Sequence, residues 1–157
     1  MDYTIRIIDE KEYGILEDFL YEAIFIPKNV PAPPREIIYK PELQVYVSDF
    51  GKSKGDLGLV AEADKKIIGA VWVRIMNDYG HIDNETPSFA ISLYKDYRSC
   101  GIGTALMKKM LDMLNQAGYK QASLAVQKEN YAVKMYKKVG FEIVDENEEE
   151  YIMLYKF

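Results

Sequence analysis

Apolar positions along the chain follow two rhythms, a period of about two and a period of 3.6, and the switches between them outline the elements. Tyr3-Thr4-Ile5-Arg6-Ile7-Ile8 alternates and then runs apolar, which predicts an opening strand. Asp9 offers a cap to a following helix, with Tyr13, Leu16, Phe19, Leu20 and Ala23 on one face. Five of the six prolines lie between Ile26 and Pro41, so this stretch is not one regular element. Its length predicts a shaped surface segment over a cleft rather than an idle connector. Pro41 to Phe50 predicts a short helix that stops at Gly51.

The middle of the chain turns to strands. Leu57–Glu62 and Ile67–Ile75 are joined by Ala63-Asp64-Lys65-Lys66, a connection of hairpin length. Phe89–Tyr94 predicts a third, interior strand. From Gly101 the period lengthens: Leu106, Met110, Met113, Leu114 and Ala117 form a helical stripe that ends at Gly118. Ala122–Val126 returns to strand, and Tyr131–Val139 to helix, ending at Gly140. Phe141–Val144 and Tyr151–Tyr155 predict a closing strand pair. The resulting order, β-α-irregular-β-β-β-α-β-α-β-β, predicts a mixed α/β (α+β) fold around one sheet. No repeat or compositional shift divides the chain, so residues 1–157 read as a single domain.

Composition narrows the function classes. A net charge of −5 at pH 7 argues against a surface built to grip nucleic-acid phosphates. The lone Cys100 has no internal disulfide partner, and the single His81 is a poor start for a metal site. The opening Met1–Arg6 lacks a signal-peptide core, and the longest apolar run, Ile67–Val73, is far short of a membrane span. A cytoplasmic protein with no membrane partner is the expectation.

Chemistry concentrates where the strand Phe89–Tyr94 meets the helix that starts near Gly101. The joining sequence is Arg98-Ser99-Cys100-Gly101-Ile102-Gly103-Thr104. Glycines ahead of a helix let the backbone approach a ligand closely, and the unpaired N–H groups of the first turn suit a pyrophosphate. A Walker loop is excluded, because Gly103 is followed by Thr104-Ala105 rather than Lys-Ser/Thr. A dinucleotide fingerprint is excluded too: Leu106 stands where its third glycine belongs, and Ser123 where its acidic residue belongs.

Arg-x-x-Gly-x-Gly remains, and further along the chain Asn130, Ala132, Tyr136, Gly140 and Phe141 spell Asn-x-Ala-x-x-x-Tyr-x-x-x-Gly-Phe. In this order and strand–helix context the two motifs resemble the GCN5-related N-acetyltransferase (GNAT) superfamily. Leu59-Val60-Ala61-Glu62 and Ile68–Arg74 resemble that family's second and third strands. The likeness runs from Leu57 to the C-terminus.

The resemblance implies a mostly antiparallel, mixed central sheet, splayed between two central strands and flanked by helices. It implies acetyl-CoA as cosubstrate and direct attack by a primary amine, without an acyl-enzyme. Carried over by position, the main chain of Leu93 and Tyr94 would bind the pantetheine arm. The N–H groups of Ser99, Cys100, Gly101, Ile102, Gly103 and Thr104 would hold the pyrophosphate. Arg98 would add charge or brace the turn; Asn130 would bond pantetheine, cap its helix, or do both. Tyr136 would protonate the departing thiolate.

Here the chain departs from the family, since the strand Phe89–Tyr94 carries no carboxylate to serve as base. Glu85 is the nearest candidate, followed by Asp83 and His81. This departure keeps a second reading open, a non-catalytic acyl-CoA-binding or sensing module of the same fold. The acidic run Asp145–Glu150 reads as a solvated turn between the last strands, or as a feature favouring a cationic acceptor. Partners expected are acetyl-CoA and an amine acceptor, with a homodimer left open.

Overall fold

Among the described residues, seven segments form strands: β1 (Thr4–Ile7), β2 (Leu57–Ala63), β3 (Lys66–Arg74), β4 (Ser88–Leu93), β5 (Gln121–Gln127), β6 (Glu142–Glu146) and β7 (Glu150–Lys156). Four segments form α-helices: α1 (Leu16–Glu22), α2 (Pro41–Gln44), α3 (Ile102–Gln116) and α4 (Ala132–Val139). These coordinates are a computed structural model that describes residues 2–157.

One sheet holds all seven strands in the order β1-β2-β3-β4-β5-β7-β6. Every neighbouring pair is antiparallel except β4 and β5, which run parallel. That parallel pair is joined at a single register position, Ser88 opposite Ser123. From there toward Leu93 the two strands have no pairing, so the middle of the sheet opens as a splay. The C-terminal strand β7 sits between β5 and β6, which leaves β6 as an edge exposed along its whole length. Its Glu142, Asp145 and Glu146 are the charges that keep such an edge from pairing with another chain.

Helices cover both faces, which is why β3 is buried almost end to end rather than on alternate positions. On one face Leu106, Met107, Met110 and Leu114 of α3 pack over Phe89, Leu124 and Phe141. On the other face Leu16, Phe19 and Leu20 of α1 pack with Ile38, Phe50 and Trp72.

Three elements differ from the sequence expectation. The helix after Asp9 begins as a 3-10 turn over Glu10–Ile15 and becomes α-helical only at Leu16. A weak helix former, Gly14, sits inside that turn, while a capping box between Asp9 and Glu12 fixes its start. The helix expected over Pro41–Phe50 is α-helical only to Gln44. The carbonyls that would continue it are drawn elsewhere: Arg74 Nη1 donates to Val45 O and Ser48 O, and Trp72 Nε1 to Tyr46 O. Arg74 is itself buried and paired with Asp56, 3.1 Å away. Finally, half of the acidic run is strand and half is turn. Asn147 Oδ1 accepts from the N–H groups of Glu149 and Glu150, which tightens the turn and leaves Asp145, Glu146 and Glu150 within β6 and β7.

Candidate functional site

Strand β4 sets the geometry of the site through its main chain. Tyr94 N–H donates to Ile68 O of β3 at 3.0 Å. In an antiparallel ladder alternate residues turn to the same side, so Ala90 and Ser92 also face β3. Phe89, Ile91 and Leu93 therefore aim their N–H and C=O groups toward β5. With β5 splayed away, the N–H groups of Ile91 and Leu93 have no strand partner and face the gap. Tyr94 does not share this role, since its N–H belongs to β3 and its carbonyl accepts from Tyr97 N–H.

The turn after β4 is held in a conformation that side chains rarely adopt. Ser99 has φ +62° and Gly101 has φ +83°. The serine accepts a left-handed backbone where glycine would be easier, and Gly101 opens onto free space. Arg98 braces this turn: Nε donates to Leu93 O at 2.9 Å, and Nη2 reaches the carbonyl and the carboxylate of Glu22 at the end of α1. Of the two roles open in the sequence, the brace is the one the structure displays. Cys100 is exposed, and its thiol donates to the Arg98 carbonyl at 3.4 Å.

Helix α3 then starts at Ile102, and its first intrahelical N–H bond is that of Ala105 to Gly101 O. The N–H groups of Ile102, Gly103 and Thr104 are thus free at the positive end of a fifteen-residue helix. They open into a cleft of about 920 Å³ that runs along the splay. Leu93, Ser99, Gly101, Gly103, Asn130 and Tyr136 all line it. The apolar stretch Ile24–Ile26 after α1, which leads into the proline-rich segment, and Ala32 within that segment also line it.

Asn130 sits at the entry to α4. Its Oδ1 accepts from Ala132 N–H at 2.9 Å, and its Nδ2 makes no bond to the described residues. One side chain therefore bonds the first N–H of α4 and also lines the cleft. Tyr136 is buried against Phe141, with ring centroids 6.2 Å apart. Burial pushes its phenol well above the usual tyrosine range, so it stays protonated at any ordinary pH. Its hydroxyl makes no hydrogen bond to the described residues, and the residue lines the cleft.

The base candidates are not brought to this cleft. Glu85 is exposed in the turn before β4, and its own N–H donates to Asp83. Asp83 is exposed, and hydrogen bonds from Thr86 and Glu85 hold its carboxyl below the usual range. The His81 ring is tied by Nδ1 to Met76 O. What the sequence did not single out is Asp78, at the splay's closed end. Ser88 Oγ donates to Asp78 Oδ2 at 2.9 Å and Tyr46 OH to the same oxygen at 3.1 Å. No spacing rule marked it, because its partners lie ten and 32 residues away.

Comparison with known proteins follows the same lines. The family model described as Acetyltransferase (GNAT) family matches residues 20–141. The chain is 34% identical over 101 residues to the Drosophila melanogaster protein named "Probable N-acetyltransferase san", which covers 62% of this chain and 53% of that protein. It therefore spans about half the length of that curated relative. It is 28% identical over 127 residues to the [ribosomal protein bS18]-alanine N-acetyltransferase of Haemophilus influenzae, covering 76% of this chain and 83% of the relative. In fold it is similar to the PaiA N-acetyltransferase of Thermoplasma acidophilum, crystallised in complex with coenzyme A. That likeness has a TM-score of 0.74 at 20% identity and covers 100% of both chains.

Proposed function

The chain belongs to the acetyltransferase (GNAT) family, and on that premise we propose that it transfers an acetyl group from acetyl-CoA directly to a primary amine. The observation that carries this reading is the free N–H row of Ile102, Gly103 and Thr104 opening into a cleft that continues along the edge of β4 that β5 leaves unpaired. Such a row suits a pyrophosphate, and the strand beyond it suits an extended amide-bearing arm. Relatives named N-acetyltransferases and a fold neighbour crystallised with coenzyme A support the same donor.

Each residue then has a task. Ser99 to Thr104 hold the pyrophosphate, with the turn kept in shape by Arg98. Asn130 Nδ2 and the Leu93 main chain take the pantetheine amides. The Ile91 and Leu93 N–H groups polarise the thioester carbonyl and receive the charge that develops on its oxygen. Tyr136 gives its proton to the departing sulfur; a phenol held above its ordinary pKa of about 10 remains loaded for that task.

Release of free CoA thiol tests the proposal, measured with acetyl-CoA and a panel of amines. The panel contains 1,4-diaminobutane, a lysine-bearing peptide and peptides with free α-amino groups. Turnover with one class of amine is the expected result. Binding of acetyl-CoA without turnover across the panel would overturn it in favour of a sensing module, the reading motivated by the missing carboxylate on β4.

A further inference from the structure

Charge is distributed unevenly around the cleft. The chain has a net charge of −5, yet the charged side chains that line the cleft are Lys95, Arg98, Lys134 and Lys138 against Glu22. Glu22 and Arg98 are bonded to each other. Among the described residues the lysines in ion pairs are Lys52 and Lys128, so Lys95, Lys134 and Lys138 have no carboxylate partner. An acidic protein thus keeps three uncompensated ammonium groups around one cavity.

Two of them stand where their own helix gains least from them. Lys134 lies in the first turn of α4, at the positive end of the helix, and that turn holds no acidic residue. A cation there opposes the helix dipole. Lys138 alone would suit the last turn. Four positions after Lys134, however, it sets a second positive charge on the same face, about 6 Å away at Cβ, and such like-charge pairs weaken a helix. The repulsion is relieved by an anion bound in the cleft that both lysines line.

Their place relative to the phosphate turn follows from Met135. Its terminal methyl would lie 3.7 Å from a Cβ at Gly103. Helix α4 is therefore packed directly against the pyrophosphate cradle. Lys134 adjoins Met135 in sequence, and Lys138 follows it one turn further along the same side. The free N–H groups of Ile102, Gly103 and Thr104 already suffice for a pyrophosphate. The two lysines of α4 are surplus to that task.

Resting on the transferase reading above, we infer that Lys134 and Lys138 bind the 3′-phosphate on the ribose of the donor, so that α4 distinguishes CoA from dephospho-CoA. A phosphate monoester carries close to two negative charges at pH 7 and three acceptor oxygens, a match for two ammonium groups. In CoA only the ribose separates that phosphate from the pyrophosphate. This suits lysines on the helix packed against the cradle. The bound phosphate in turn removes the repulsion along α4.

The test is a calorimetric titration of CoA and of dephospho-CoA, which gives the ratio of their dissociation constants. It is run on the parent, the double variant Lys134→Gln/Lys138→Gln, the conservative Lys134→Arg/Lys138→Arg, and Lys137→Gln. Lys137 is a cation of the same helix that does not line the cleft. At low ionic strength the parent should bind CoA about tenfold more tightly than dephospho-CoA, the worth of two exposed charge-assisted contacts. The glutamine double variant should lose this ratio by weakening CoA alone, with dephospho-CoA affinity unchanged. The arginine variant and Lys137→Gln should keep the ratio, and added salt should shrink it. Without ligand, the glutamine double variant should melt no lower than the parent, because a like-charge pair has gone. A ratio near one in the parent would overturn the assignment. So would an equal loss for both ligands in the double variant, or a ratio that falls as far in Lys137→Gln. A melt well below the parent would make the two lysines structural and overturn it as well. Failure of the parent to bind either ligand would instead overturn the transferase reading on which this one rests.

Discussion

Tyr136 shows how much a single environment decides. The chain has thirteen tyrosines, and most are ordinary packing or surface groups. This one is buried beside Phe141 and lines the cleft. Its expected signature is a split between rate and affinity. Tyr136→Phe keeps the ring and its packing, so acetyl-CoA affinity should hold while kcat falls by about 10²–10⁴-fold. Steady-state kinetics beside a binding titration would separate the two. Equal kcat would return Tyr136 to a packing role. Asp78 belongs to the same scale, being an ordinary loop aspartate in sequence that only its neighbours make distinctive.

At the scale of elements, the first turn after β1 illustrates how a local signal becomes an electrostatic one. Glu12 closes the capping box on Asp9 N–H and also pairs with the Arg6 guanidinium at 2.8 Å. Arg6 first, and the Asp9 N–H second, lower its carboxyl from the ordinary 4.5 to about 2. A carboxyl lowered in the folded state contributes stability that is complete above its unfolded pKa and is lost as pH falls through the folded one. Glu12→Gln should therefore melt below the parent at pH 6, and the difference should shrink between pH 4.5 and about 2. Melting curves across that range would show it, and a gap independent of pH would mean that the pair adds nothing. The pair is partly solvated, so the gap at pH 6 should be modest.

For the whole molecule, ligand linkage is the direct measure of the cleft. A ligand that binds only the folded chain stabilises it by about 2.7 kcal/mol at 100 times its dissociation constant. Acetyl-CoA should accordingly raise the melting temperature, and Gly103→Asp should abolish that rise. At Gly103 an added Cβ would meet Leu93 and Met135 at 3.5 and 3.7 Å, ordinary contact distances. The fold can therefore admit a side chain there, and its negative charge falls where phosphate oxygens belong. A thermal shift of parental size in that variant would place the pyrophosphate elsewhere.

The sequence by itself determined the element order, the mixed sheet and the glycine turn, because these depend on periodicity and on residues a few positions apart. The spacing of Arg98, Gly101 and Gly103 pointed to the candidate cradle, and the family resemblance added Asn130 and Tyr136. Tertiary structure decided what depends on distant neighbours. It shortened the helix after Pro41, because Arg74 and Trp72 claim that segment's carbonyls from β3. It turned Tyr94 toward β3 and left Ile91 and Leu93 facing the gap, a matter of ladder register that no single strand carries. It set Glu85 in solvent and Asp78 at the closed end of the splay. Proximity in the chain made Glu85 the candidate, but a carboxylate's surroundings are assembled from β4, β5 and the turn after α2, and those meet only when the sheet closes.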